Sequence, residues 1–471
     1  MTTVDRFDAV VIGGGPGGVT AALRLTAHGL TVALIEDRLV GGECHYWACN
    51  PTKTLIRPIE VRRLAAAVPG VREVMTSRSL DVEAVFAKRD AIIDHLVDHD
   101  IVTGLKQAGI DVIHGRGRLD GERTVVVTEP DGRQRRLHAE HAVVLATGTS
   151  PFIPDIDGLR SAAPWTNREL ATMTRVPARS IVVGGGVVGV ESATILSGLG
   201  SDVTLLARGP ALLQGSEPFA GERVARGLQD RGVEVRVDST VSSVTRHPSG
   251  AVSVVTADTQ LDADEIVVAT GRSVNTDDVG LETVGLPAGE FVAVDDHLTA
   301  TGVDGEWLYA IGDTTGRALL SHVSQYHAGI VADIVAHRAR GGVAVGAEMA
   351  AQDRGHLPQI IFTDPQVVEV GYTEKAARAS GFTVATRSAH YPGEIGELSI
   401  LRDGFDAEAK LVIDADRDTL LGATFVGPDI ADLVHAATVA VVGKVPLSVL
   451  RHAIAPHPSL SQVWNPLLAA R

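Results

Sequence analysis

The sequence predicts an α/β protein with two dinucleotide-binding units and a separate C-terminal domain. Three observations predict it. A strand, glycine turn, helix and strand open the chain, and the same pattern recurs from Ser180. Beyond a Gly/Ala-rich helix and linker near Gly341 to Gly355, the composition changes to alternating strands and helices up to Arg471. A single glycine-rich turn is weak evidence because such turns are common. Two, each set between a strand and a helix, are hard to obtain by accident.

In chain order, the apolar run Phe7 to Ile12 leads into Gly13-Gly14-Gly15-Pro16-Gly17-Gly18. Val19 to His28 has helical periodicity closed by Gly29, and Leu30 to Ile35 is a second apolar run ending in Glu36. Glycines at Gly13, Gly15 and Gly18 with a following acid form a dinucleotide fingerprint. The second copy runs from Ser180 to Val183, through Gly184, Gly186 and Gly189, along a helix to Gly198, and into the strand Asp202 to Ala207. Similar phrases, Ala146-Thr147-Gly148-Thr149 and Ala269-Thr270-Gly271-Arg272, follow the two units. Small residues at strand ends admit close backbone approach by a ligand. The apolar strand Trp307 to Ile311 ends in Gly312-Asp313, where a carboxylate could accept from cofactor hydroxyls.

The length of 471 residues implies two or three domains, and an apolar fraction of 45% with 21% charged residues fits a globular protein. A net charge of -16 argues against nucleic acid and against anionic membrane surfaces as partners. The first apolar run meets three glycines too early for a signal peptide or membrane span, and later runs are short. Two cysteines supply no secreted-type disulfide framework, so a cytoplasmic protein is expected.

Those cysteines, Cys44 and Cys49, directly follow the first unit, in Gly42-Glu43-Cys44-His45-Tyr46-Trp47-Ala48-Cys49-Asn50-Pro51-Thr52-Lys53. Residues five apart in an ideal helix rise about 7.5 Å, beyond the roughly 7 Å Cα limit for a disulfide. Pairing therefore needs a break, and Pro51 supplies one by crowding the carbonyl at Trp47. Two reduced, buried thiols are the plainer reading. A structural zinc site wants four ligands, and His45 is the one local addition. Position beside a dinucleotide turn favours redox chemistry.

This ordered set resembles the class I pyridine nucleotide-disulfide oxidoreductases, the family of dihydrolipoamide dehydrogenase, glutathione reductase and mercuric reductase. The resemblance covers essentially the whole chain and includes the C-terminal His457-Pro458-Ser459. It implies an FAD domain over residues 1–150 and 275–345, an inserted NAD(P) domain over 151–274, and an α+β C-terminal dimerisation domain over 350–471 of a homodimer. By the same resemblance, Gly13, Gly15, Gly18, Gly42, Thr147 and Gly148 border FAD. Glu36 holds its adenosine ribose and Asp313 its ribityl side. Gly184, Gly186, Gly189, Arg208 and Gly271 are assigned to NAD(P). Cys49 is the thiol nearest the flavin, Cys44 exchanges with substrate, and Lys53, paired with Glu191, lies near the flavin N5. His457, expected to be joined to Pro458 by a cis peptide bond, is the acid-base residue acting on the partner subunit's dithiol. Electrons then pass from nicotinamide through FAD and the Cys44–Cys49 disulfide to a small-molecule disulfide or related acceptor.

The sequence departs from that family in two places. Gln462 stands where the disulfide reductases have a glutamate; it can orient His457 but supplies no charge. His45, Tyr46 and Trp47 are bulky where dihydrolipoamide dehydrogenase-like proteins have small or amide residues, which makes lipoamide a less secure substrate. A C-terminal cysteine pair and an N-terminal metal-binding domain, both expected of mercuric reductase, are absent from the sequence. Ala207 occupies the position of Glu36 in the second unit and is followed by Arg208, so NADPH is favoured over NADH. Two alternatives stay open: a quinone, dye or metal reductase using the flavin directly, and a non-catalytic redox-sensing flavoprotein.

Overall fold

A computed structural model describes residues 4–75, 79–342, 350, 353, 355–392 and 397–469. The expected linker near Gly341 to Gly355 lies largely outside the described residues. The described residues group into two compact units. One is Met1–Pro51, Asp90–Pro151 and Arg272–Arg354; the other is Thr52–Arg89, Phe152–Gly271 and Gly355–Arg471.

In the first unit, the opening strand Val4–Ile12 lies between Val32–Glu36 and Gln134–Leu145, parallel to both. Asp111–His114 extends one side of the sheet, and Leu308–Ala310 also pairs with Gln134–Leu145. Ala9, Val10, Val11, Val32, Leu34, Val143 and Leu145 are buried almost completely, as expected of parallel strands covered on both faces. The helix Pro16–Ala27 begins with proline in its first turn, where a missing N–H costs nothing. It buries Gly17, Gly18, Ala21, Ala22 and Leu25, and its glycines and alanines allow close approach to the long helix Ser321–Ala339.

The second unit contains a four-stranded parallel sheet, in the order Glu234–Arg236, Asp202–Leu206, Arg179–Val183 and Glu265–Val268. The helix Val187–Gly198 follows its glycine turn as Pro16–Ala27 follows the first. The C-terminal stretch forms a five-stranded antiparallel sheet from Pro358–Ile361 to Thr419–Gly427. Its inward side chains, among them Leu411, Ala423 and Phe425, pack against Leu433, Ala437, Val441 and Leu467 from the covering helices. Two Rossmann-like sheets and an α+β C-terminal portion are thus the fold class that the sequence predicts.

The helix Cys49–Ala66 carries the chain from the first unit into the second after Pro51. Its later turns belong to the second unit's core, where Leu55, Ile56 and Ile59 meet Val190, Ala193 and Leu196.

Candidate functional site

Both glycine turns have geometry that a side chain would destroy. Gly13 has φ +106°, and a Cβ there would lie 2.3 Å from the Ala146 carbonyl oxygen; Gly184 has φ +132°, with 2.1 Å to the Ala269 oxygen. A Cβ on Gly18 would sit 1.8 Å from the Gly13 oxygen, and one on Gly189 equally close to the Gly184 oxygen. Gly15 and Gly186 are different: each N-caps its helix and faces open space. Neither helix has a side-chain cap or an acid in its first turn. Uncapped helix N-termini beside open glycines fit a bound pyrophosphate. Gly42, at φ +63°, packs against Gly15, where a Cβ would come within 2.7 Å of its Cα.

The two units diverge at the end of their second strand. Glu36 Oε2 accepts from the Gly14 N–H at 2.6 Å and Oε1 from the Arg38 N–H at 2.9 Å. Burial pushes the Glu36 carboxyl up to about 7, opposed by those two N–H donors. In the second unit, Ala207 occupies the same place against Gly185, whose Cβ would lie 2.8 Å from the Ala207 Cβ. Arg208 follows and is exposed.

Around Gly312-Asp313, Thr149 Oγ1 donates to Asp313 Oδ2 at 2.6 Å, and the Gly148 N–H donates to Thr314 Oγ1 at 3.0 Å. The Thr147 hydroxyl lies 3.4 Å from that of Thr314. Arg272 Nε donates to Thr149 Oγ1 at 2.5 Å and Nη2 to the Thr149 carbonyl at 2.7 Å. Burial raises the Asp313 carboxyl above its ordinary range, and the Thr149 hydroxyl opposes it. Gly271 has φ +143° and open space at its Cβ position.

The cysteines occupy two helices. Cys44 lies in Gly42–Tyr46, which ends at Trp47 (φ -134°, ψ 0°), and Cys49 opens Cys49–Ala66. The break falls where the sequence requires one. Pro51, however, does not bend a continuous helix. It sits in the first turn of the second helix, where its missing N–H is tolerated. Both cysteines are free thiols and half-buried. The Cys49 sulfur beside it, together with burial, pushes the Cys44 thiol up, while Ser321 opposes the shift. Cys49 Sγ lies 3.4 Å from Ser321 Oγ. The two thiols are neighbours that share the Ser321 hydroxyl.

In the second unit, Lys53 Nζ donates to Glu191 Oε2 at 2.7 Å. Glu191 is 5% exposed, and its Oε1 accepts from the Phe362 N–H at 3.0 Å. The Phe362 ring centroid lies 5.1 Å from Lys53 Nζ. His457 is exposed and joined to Pro458 by a cis peptide bond. Gln462 Oε1 accepts from the Ser459 N–H at 3.2 Å, capping the short turn Leu460–Val463.

Among the described residues, no group of three or more His, Cys, Asp or Glu could hold a metal ion, and no helix is long and apolar enough to cross a membrane. Sequence reasoning missed Ser321 beside Cys49, Asp94 beside His45, and the Thr149–Arg272 support for Asp313. Arg272 adjoins a singled-out glycine and could have been found. The other contacts are made across long stretches of chain and leave no local pattern.

Two dinucleotide-binding folds and a thiol pair next to the first glycine turn define a nucleotide-dependent dithiol oxidoreductase. The chain belongs to the pyridine nucleotide-disulphide oxidoreductase family. That family's model matches residues 7–329, and the model of its dimerisation domain matches residues 357–467. The chain is 31% identical over 470 residues to dihydrolipoyl dehydrogenase of Chlorobaculum tepidum, covering 98% of this chain and 96% of the relative. It is 30% identical over 471 residues to mercuric reductase of Acidithiobacillus ferrooxidans, covering 98% of this chain and 81% of the relative. A solved Cu(II) complex of the HOCl-induced flavoprotein disulfide reductase RclA from Escherichia coli superposes with TM-score 0.83 at 26% identity, covering 99% of both chains. The protein is thus a flavoprotein oxidoreductase that uses FAD and NAD(P)H, with a dimerisation domain.

Proposed function

We propose that the protein reduces a small disulfide or related acceptor with NADPH through a reversible Cys44–Cys49 disulfide. The observation that carries this reading is the thiol pair itself, set across a helix break beside the first glycine turn. FAD, when bound, supplies hydride acceptance from a nicotinamide and two-electron delivery to a disulfide. Residues 1–150 and 275–345 hold it, residues 151–274 hold NAD(P)H, and residues 350–471 pair the subunits. Gly13, Gly15 and Gly18 would shape the turn for its pyrophosphate, Glu36 and Asp313 would accept from its hydroxyls, and Lys53, fixed by Glu191, would supply a cation for its ring. Cys49 would be the thiol on the flavin side and Cys44 the thiol that exchanges with substrate. His457 of the partner subunit takes and returns the thiol proton. Both cysteines are spent on this pair, which suits a cytoplasmic setting.

Steady-state oxidation of NADPH with a panel of low-molecular-weight disulfides tests the reading. Turnover with at least one of them is expected; failure with every one overturns it.

Coenzyme choice rests on Ala207 and Arg208. Arg208 is exposed just past the end of Asp202–Leu206, where a guanidinium can meet a 2′-phosphate, and Ala207 leaves the position that matches Glu36 without a carboxylate. Arg208→Ala should lower kcat/KM for NADPH by about 10- to 100-fold, the worth of one charged hydrogen-bonding contact, and leave that for NADH nearly unchanged. Equal losses with both coenzymes would contradict the assignment.

Gln462 offers His457 no negative charge. Gln462→Glu preserves the cap on Ser459, because a carboxylate accepts from the same N–H. It stabilises the protonated ring. The acidic limb of the disulfide-reduction pH profile should move up and the plateau rate above it should rise. An unchanged profile would separate Gln462 from the proton transfer.

A further inference from the structure

The residues that follow each cysteine are joined. His45 Nδ1 lies 3.0 Å from Asn50 Nδ2, and His45 Nε2 lies 3.1 Å from Asp94 Oδ2. An amide nitrogen can only donate, so Nδ1 accepts and the ring proton sits on Nε2, donating to Asp94. His45 follows Cys44 and Asn50 follows Cys49. The hydrogen bond therefore spans the break at Trp47, one residue on from the span a disulfide would close.

The anchor is held at a cost. Asp94, His95 and Leu96 have φ of +48°, +51° and +61°, three successive non-glycine residues in the left-handed region. Such a conformation is disfavoured for each of them, because its Cβ crowds the following carbonyl oxygen. The following residues brace the cysteine turn again, since Asp98 Oδ2 accepts from the Val40 N–H at 2.9 Å, and within that turn Tyr46 donates to the Val40 carbonyl at 3.2 Å. His45 is also set edge-on to the Tyr46 ring, with centroids 4.5 Å apart.

We propose that His45 and Asn50 are positioning residues that clasp the two cysteine-bearing turns together while the Cys44–Cys49 bond is open, with Asp94 as the anchor. This deepens the dithiol reading and rests on it. With the clasp, the open pair has little conformational freedom left to lose, so closing the disulfide is favoured and the pair becomes a stronger reductant. The aromatic and polar bulk at His45 and Tyr46 then shapes the redox pair itself.

The test equilibrates the FAD-loaded protein anaerobically with mixtures of reduced and oxidised dithiothreitol, followed by acid quench, alkylation and mass analysis. In the reaction, the Cys44 and Cys49 thiols form an S–S bond, and their two electrons and two protons pass to oxidised dithiothreitol, which becomes the dithiol. Asn50→Ala and His45→Ala should each lower the equilibrium constant for disulfide formation about tenfold, equivalent to about 30 mV for a two-electron couple. The double variant should lose little more than either alone. His45→Gln, whose amide can accept from Asn50 and donate to Asp94, should restore most of the loss. Constants within twofold of the parent for both alanine variants, or full additivity in the double variant, would overturn the clasp. A parent protein with two alkylatable thiols in every mixture would overturn the dithiol reading itself. If His45→Ala fails to bind FAD, Asn50→Ala carries the test alone, with the same tenfold loss expected and a constant within twofold of the parent overturning the clasp.

Discussion

Cys44→Ser is expected to lower turnover with disulfide acceptors by about a thousandfold or more while NADPH still reduces flavin-accepting dyes. A hydroxyl has no accessible anion at neutral pH and cannot form the mixed disulfide through which exchange proceeds. The environment of Cys44 sharpens the effect. The Cys49 sulfur and burial push its thiol up, so reactivity depends on proton removal instead of on a standing thiolate. Dye reduction does not pass through Cys44 and is spared. If disulfide turnover also survived, electrons would leave directly from the flavin and the thiol pair would be dispensable.

Lys53→Met is expected to damage both the fold and the activity. Glu191 is buried with two partners, the Lys53 ammonium at 2.7 Å and the Phe362 N–H at 3.0 Å. Removing the cation leaves a carboxylate in the second unit's core with one backbone donor. Uncompensated buried charges cost about 3–5 kcal/mol. Lys53 is itself one-third exposed, so solvent offsets part of this, and a loss of about 2–3 kcal/mol is expected. Thermal unfolding should therefore begin several degrees lower. Adding Glu191→Gln, which removes the charge but can still accept from Phe362, should recover more than half of the stability. Activity should not recover, because the cation stays missing. Recovery of both would reduce the pair to a structural role.

The parts of the site legible in the sequence are those where backbone geometry admits one residue type. Gly18 and Gly189 are readable because any side chain would collide with the preceding turn's carbonyl. The Glu36 and Ala207 correspondence was readable because two copies of one turn place them identically, against Gly14 and Gly185. Lys53 and Glu191, 138 residues apart, were paired through the family resemblance and not by any local signal. Ser321 and Asp94 were not legible. They reach Cys49 and His45 across 272 and 49 residues, and a serine or aspartate in a polar segment has no periodicity to mark it. The helix break is legible in the sequence, but its form is not: Pro51 sits in the first turn of a new helix instead of bending one.

The most direct test of the central claim is anaerobic titration of the oxidised, FAD-loaded protein with NADPH, followed by alkylation and mass analysis of Cys44 and Cys49. Before NADPH, neither cysteine should take a label; after one equivalent, both should. Cysteines that are labelled equally before and after reduction, or that stay unlabelled once the flavin is fully reduced, would contradict the account.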